Sequence, residues 1–148
     1  MDLSKKKQVR VFLKKPKKVK TKSLAKLRKE LWGWFSKFIR ARDGGVCFTC
    51  GATGCVGSNY HAGHFIPQSV CNMDARFDDR FVRGQCFRCN INLSGNSVEF
   101  RKELVKCLEK GALEEYENSY KNPVKWGRVD FEVEIAHYKA LVLGQNPA

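Results

Sequence analysis

Long apolar runs are missing from this chain. None approaches the roughly 20 residues that a membrane-spanning helix needs, and the Lys-rich N-terminus leads into no apolar h-region of the kind that marks a secretory signal. These absences point to the reducing cytoplasm. Acidic residues are scarce at one end. Residues 1–42 hold 16 of the 28 lysines and arginines but only two of the 15 acids. Residues 43–148 are close to neutral, so the net charge of +13 resides in the first segment. The cysteines do not suit a disulfide framework: seven is an odd number, and four of them form two C-x-x-C pairs, which argues for metal. The 43% hydrophobic and 29% charged residues are those of a globular chain. At 148 residues there is room for one modest domain and an arm.

Residues 1–21 read as a flexible basic arm. Pro16 and the lysine runs leave it no core face, and its charge is the footprint of a phosphate-backbone binder through Lys5, Lys6, Lys7, Lys14, Lys15, Lys17 and Lys18. Residues 22–148 form the single domain. A helix is predicted from about Ser23, its N-cap, to Arg42, because Leu24, Leu27, Leu31, Trp34, Phe35, Phe38 and Ile39 recur at helical spacing. That stripe reads as core, while Lys22, Lys26, Lys29, Lys37 and Arg40 lie away from it, where they can meet phosphate. Asp43-Gly44-Gly45 ends the helix.

Residues 43–96 are rich in Gly, Cys and Asn. Two short strands, Tyr60–Ile66 and Phe81–Val82, are expected there, joined by a loop holding Pro67 and Asp74–Asp79. Residues 97–148 return to helix. One runs to Lys110 with Phe100, Leu104, Cys107 and Leu108 on its core face and Gly111 as its stop. A short one spans Leu113–Tyr120, and a last one runs from an Asp130 cap to about Leu143.

Cys47, Cys50, Cys86 and Cys89 carry the strongest chemical signal. Each C-x-x-C turn offers two thiolates, and two turns close a tetrahedral site for a structural Zn²⁺ with no open position. The segment between the pairs has little apolar surface of its own, so a structural metal is physically motivated. It also carries His61-Ala-Gly-His64-Phe-Ile-Pro67, and Asn90 follows the last cysteine directly. A candidate general base and a candidate oxygen ligand thus flank one zinc-stapled unit, as metal-assisted phosphodiester hydrolysis requires.

At these residues the chain resembles the ββα-metal, or HNH-type, nucleases, and more narrowly the phage NinG/Rap recombination endonucleases. The resemblance rests on Cys47–Gly51, Ala62-Gly63-His64, Arg76-Phe77, Gln85-Cys86-x-x-Cys89-Asn90 and Ser94-Gly95-Asn96, within residues 22–143. It implies an α+β fold: a small zinc-stapled ββα-metal core flanked by an N-terminal amphipathic helix and C-terminal helices. It also implies a resolvase of Holliday junctions and other branched DNA, working as a homodimer; for a phage-encoded protein the cytoplasm is that of the host. His64 matches the general base, Asn90 matches a ligand of a catalytic Mg²⁺ or Mn²⁺, and His61 stands where an Asp ligand is usual. Two positions depart from the HNH pattern. Gly63 replaces a metal ligand, and Phe81 replaces the Asn that orients the base, so another group must hold His64. The N-terminal cysteine cluster of some NinG proteins gives way here to the lysine arm. The competing reading is a zinc-stabilised module that binds DNA or RNA without cutting it, with His64 as a packing residue.

Overall fold

The computed structural model describes residues 21–145. Helix α1 spans Leu24–Asp43. Ser23 caps it by accepting the Lys26 N–H, and Gly44 closes it in the left-handed conformation, its N–H donating to the Arg40 carbonyl. Strand β1 (Tyr60–His64) pairs antiparallel with β2 (Val82–Cys86), with Tyr60 opposite Cys86 and His64 opposite Val82. Between the strands lies a single-turn helix, α2 (Met73–Arg76), capped by Asn72, whose Oδ1 accepts the Ala75 N–H at 2.9 Å. A π-type turn, Arg88–Asn92, follows β2, and then come α3 (Ser97–Cys107), α4 (Ala112–Ser119) and α5 (Arg128–Val142).

Two cores hold these elements. In the first, Leu27, Leu31, Phe35 and Ile39 of α1 pack on Phe131, Ile135 and Tyr138 of α5, with Ala62, Phe77 and Val82 beneath. The Phe35 ring meets Tyr138 edge-on at 4.9 Å and Phe77 at 5.5 Å. Burying each such side chain contributes roughly 1.5–3 kcal/mol. The second core gathers Phe65, Phe81, Phe100, Leu104, Leu113 and Tyr116, with Phe81 stacked on Tyr116 at 3.7 Å.

Several boundaries differ from expectation for local reasons. β1 stops at His64, and Phe65 turns into the second core. β2 begins after Phe81 and runs to Cys86; its apolar face is masked in sequence by Gly84. A side chain at Gly84 would strike the Tyr60 ring, placing a Cβ 1.9 Å from its hydroxyl. Helix α3 ends at Cys107, where Leu108 is extended, and Gly111 starts α4 instead of stopping α3. Cys107 is exposed, not part of the core. Asp130 sits inside the first turn of α5 and accepts the Gly127 N–H at 2.7 Å. Lys5, Lys6, Lys7, Lys14, Lys15, Lys17 and Lys18 lie outside the described residues. Within these, no helix is long and apolar enough to cross a membrane.

Candidate functional site

The C-x-x-C pairs meet. Cys47 and Cys50 lie in the turn after α1, Cys86 ends β2 and Cys89 lies in the π-type turn, and their four sulfurs all fall within 4.8 Å of one another. Cys50 and Cys86 Sγ are 3.8 Å apart, matching the edge of about 3.8 Å in a tetrahedron with zinc–sulfur bonds near 2.3 Å. The donor set and spacing fit a metal ion such as zinc. Burial pushes the Cys89 thiol up to about 12. At Cys47 burial acts in the same direction, but backbone N–H groups of Cys86, Cys50 and Thr49 outweigh it and bring the thiol to about 7. Cys55 stays outside the cluster with its thiol on the Ala52 carbonyl, and Cys71 packs against Tyr116.

Beside this centre opens a cleft of ≈ 580 Å³, walled by Trp32 and Arg40 of α1, His61 and His64 of β1, the Pro67–Ser69 loop and Asn90. His64 is held on two sides. Its Nε2 lies 3.0 Å from the Arg76 carbonyl. A carbonyl only accepts, so Nε2 carries the proton and Nδ1 keeps its lone pair. The Trp32 indole stacks on the ring at 5.3 Å and 22°. Burial, aided by the Arg76 charge and opposed by the Arg76 carbonyl, lowers the His64 pKa from 6.5 to about 4, so the ring is neutral at pH 7. The Arg76 carbonyl, at the end of α2, thus fixes the orientation of the His64 ring. Phe81 is buried in the second core. Asp78 grips Arg80, and Asp79 lies beside Arg42; neither lines this cleft.

His61 and Asn90 come together. His61 Nε2 is 2.9 Å from the Ser58 carbonyl, and its Nδ1 accepts from Asn90 Nδ2 at 2.8 Å. Gly63 has a geometric cause. A Cβ there would fall 1.9 Å from Gln85 Oε1 and 3.0 Å from Asn90 Oδ1. Gln85 is fully buried, and its Nε2 donates to Thr49 Oγ1 at 2.6 Å and to the Gly95 carbonyl at 2.9 Å. Its Oε1 is buried without a partner.

Sequence reasoning missed Trp32, Arg76 and Gln85 as parts of the site. Trp32 could have been found, because at 100° per residue it falls at the edge of the α1 apolar stripe and not within it. A backbone carbonyl such as that of Arg76 has no sequence signature. Of the basic residues expected to meet phosphate, Arg40 lines the cleft, and Lys26, Lys29 and Lys37 are exposed on α1. Lys22 pairs with Glu30 at 2.5 Å, and Lys37 lies over the Trp34 ring at 4.8 Å.

Residues 3–145 match the family model described as Bacteriophage Lambda NinG protein. The chain is 34% identical over 90 residues to the NinG protein of Escherichia phage 933W, covering 60% of this chain and 43% of that protein. It is 33% identical over 90 residues to that of Escherichia phage lambda, covering 60% and 42%. With the NinG protein of Salmonella phage P22 it shares 31% over 103 residues, covering 69% and 49%. The chain therefore spans less than half the length of these curated relatives. No solved structure matches it. The family match covers nearly the whole chain, cysteines and cleft included, and the protein belongs to the NinG family.

Proposed function

We propose that this NinG-family chain is a metal-dependent DNA endonuclease that cuts branched DNA, Holliday junctions included, in the cytoplasm of the host. Its β1–β2 hairpin and the turn after it form a ββα-metal core of HNH type, stapled by a structural Zn²⁺ on Cys47, Cys50, Cys86 and Cys89. One observation carries the reading. His64 is oriented by a backbone carbonyl and by Trp32, is neutral, and keeps a lone pair on Nδ1 in a cleft that also holds Asn90, His61 and Arg40. A histidine serving only as packing has no need of a cleft with polar walls and a cation at its rim.

In this mechanism Nδ1 of His64 takes a proton from water as its oxygen attacks phosphorus in line. The bond to the 3′ oxygen breaks and that oxygen takes a proton from solvent water, leaving 5′-phosphate and 3′-hydroxyl ends. Arg40 draws the backbone into the cleft. Asn90, its amide braced by His61, would hold Mg²⁺ or Mn²⁺, which when bound supplies positive charge against the charge developing on the departing oxygen. The orphan Gln85 Oε1 and the cradle beside Gly63 fit such a cation. Symmetric cutting of a four-way junction needs two such sites and hence a homodimer.

The test compares nicking of a four-way junction, a splayed arm and plain duplex with Mg²⁺ or Mn²⁺. The four-way junction should be cut best. His64→Ala should lose roughly 10²–10⁴ in rate, the usual contribution of a general base, with zinc content and DNA affinity retained. Full activity in that variant would remove the mechanism. Metal-independent binding without any nicking by the wild type would leave a zinc-stabilised binding module.

A further inference from the structure

We propose that Gln85 belongs to the divalent-cation site, its Oε1 sharing the ion with Asn90 Oδ1 behind Gly63; this rests on the nuclease reading and deepens it by giving Gln85 a ligand role. Both oxygens face the side of Gly63 where a side chain would stand, Gln85 Oε1 at 1.9 Å and Asn90 Oδ1 at 3.0 Å from the position of a Cβ built there. Both are locked in that direction. Turning the Gln85 amide would set its oxygen against the Gly95 carbonyl and forfeit the bond to it. Turning the Asn90 amide would set its oxygen against the His61 Nδ1 lone pair, and that tautomer is fixed because Nε2 of His61 faces the Ser58 carbonyl. Two amide oxygens thus converge with no donor between them, and one is fully buried.

A buried amide oxygen without a partner has lost its water and gained nothing in return. A hard cation that takes oxygen ligands, such as Mg²⁺ or Mn²⁺, makes good that loss. The same geometry explains why position 63 has no side chain: its space is used by an oxygen from the neighbouring strand. His61 acts here as a positioning residue, holding the Asn90 amide so that the oxygen faces Gln85.

The test is Mn²⁺ binding to the zinc-loaded full chain, followed by paramagnetic resonance and calorimetry, with zinc content measured on each variant. The wild type should bind one Mn²⁺ per chain beyond its zinc. Gln85→Met and Asn90→Ala should each weaken that binding roughly tenfold or more, the scale seen when partners of a metal site are removed. Gln85→Glu should bind Mn²⁺ more tightly than the wild type, and Mn²⁺ should raise its unfolding temperature more, because a carboxylate there faces the ion. A brace that never touches metal would give the opposite result, a destabilised Gln85→Glu protein indifferent to Mn²⁺. If Gln85→Met fails to load zinc, the Gln85→Glu comparison decides alone. Undiminished Mn²⁺ binding in Gln85→Met with loss in Asn90→Ala would overturn the role of Gln85 and leave the nuclease reading standing. No Mn²⁺ binding by the wild type would overturn the proposal itself, whereas the nuclease reading is judged separately by the His64→Ala cleavage assay.

Discussion

His64 shows how one side chain ties the proposed chemistry to stability. Unfolded, its imidazole titrates near 6.5; folded, burial brings it to about 4. Between these values the unfolded chain carries the extra proton, so stability rises with pH across the window and is lost as pH falls from about 6.5 towards 4. Acidifying from pH 7 to pH 5 should cost about 2 kcal/mol through this residue. Urea unfolding of the zinc-loaded protein measures it, and His64→Gln, with the same cysteines, should flatten the dependence by that amount. An identical pH profile in the two proteins would mean that the ring is not desolvated. The residue itself was legible in the sequence, as a histidine beside a zinc pair with Asn90 in reach. What holds it was legible only in part. Arg76 is 12 positions away and contributes a carbonyl, while Trp32 comes from another helix and reads in sequence as one more aromatic beside the α1 stripe.

Among the elements, α1 was the most legible and β2 the least. Helix α1 repeats its apolar residues every 3.6 positions and carries both its stop signals in sequence, so local chemistry defines it. β2 reads Val-Arg-Gly-Gln-Cys, whose alternation is hidden because Gly84 makes room for the Tyr60 ring and Gln85 is polar yet fully buried. Only the partner strand and the turn above reveal why those residues stand there. The cysteine turns bind these weak elements together: Thr49 lies between Cys47 and Cys50 and receives a bond from Gln85, while Cys86 ends β2. A chelator strong enough for a four-thiolate zinc should therefore unfold residues 46–95, since metal binding there is folding free energy on the order of 10 kcal/mol. Near-UV dichroism and limited proteolysis read this directly, and Cys86→Ser or Cys89→Ser should behave like the chelated protein. Retained near-UV signal without metal would refute the structural role.

For the molecule as a whole, charge and core are arranged on different sides of the same helix. The apolar stripe of α1 faces α5, which leaves Lys26, Lys29 and Lys37 exposed and Arg40 at the cleft rim. Phosphate should therefore be met both by this face and by the basic arm. Deleting residues 1–21 removes nine lysines and arginines and a single acid. The slope of log K against log salt on duplex DNA should flatten by about 0.9 for each phosphate that the shortened chain no longer neutralises. Lys26→Ala, Lys29→Ala and Lys37→Ala should each flatten it by up to the same step. Cleavage at saturating DNA should change little on deletion, because the residues proposed as base and metal ligands all lie beyond the arm. An unchanged slope after truncation would assign the arm's charge to a different partner.

The sequence by itself determined the features that depend on neighbours along the chain. The two C-x-x-C turns offer four thiolates at the spacing of a metal site, Ser23 and Gly44 bound α1 through the bonds of a single turn, and the lysine-rich start sets the charge. It also marked His64 and Asn90, because their residue types are chemically conspicuous next to the cysteines. Tertiary structure alone decided how these residues are used. The convergence of Gln85, Gly63 and Asn90, the Trp32 ring against His64, and the exposure of Cys107 depend on how strands and helices from distant parts of the chain pack. The physical reason is that local hydrogen bonding and periodicity act over three or four residues, whereas the site is assembled where backbone carbonyls and buried side chains from separate elements meet in one close-packed volume.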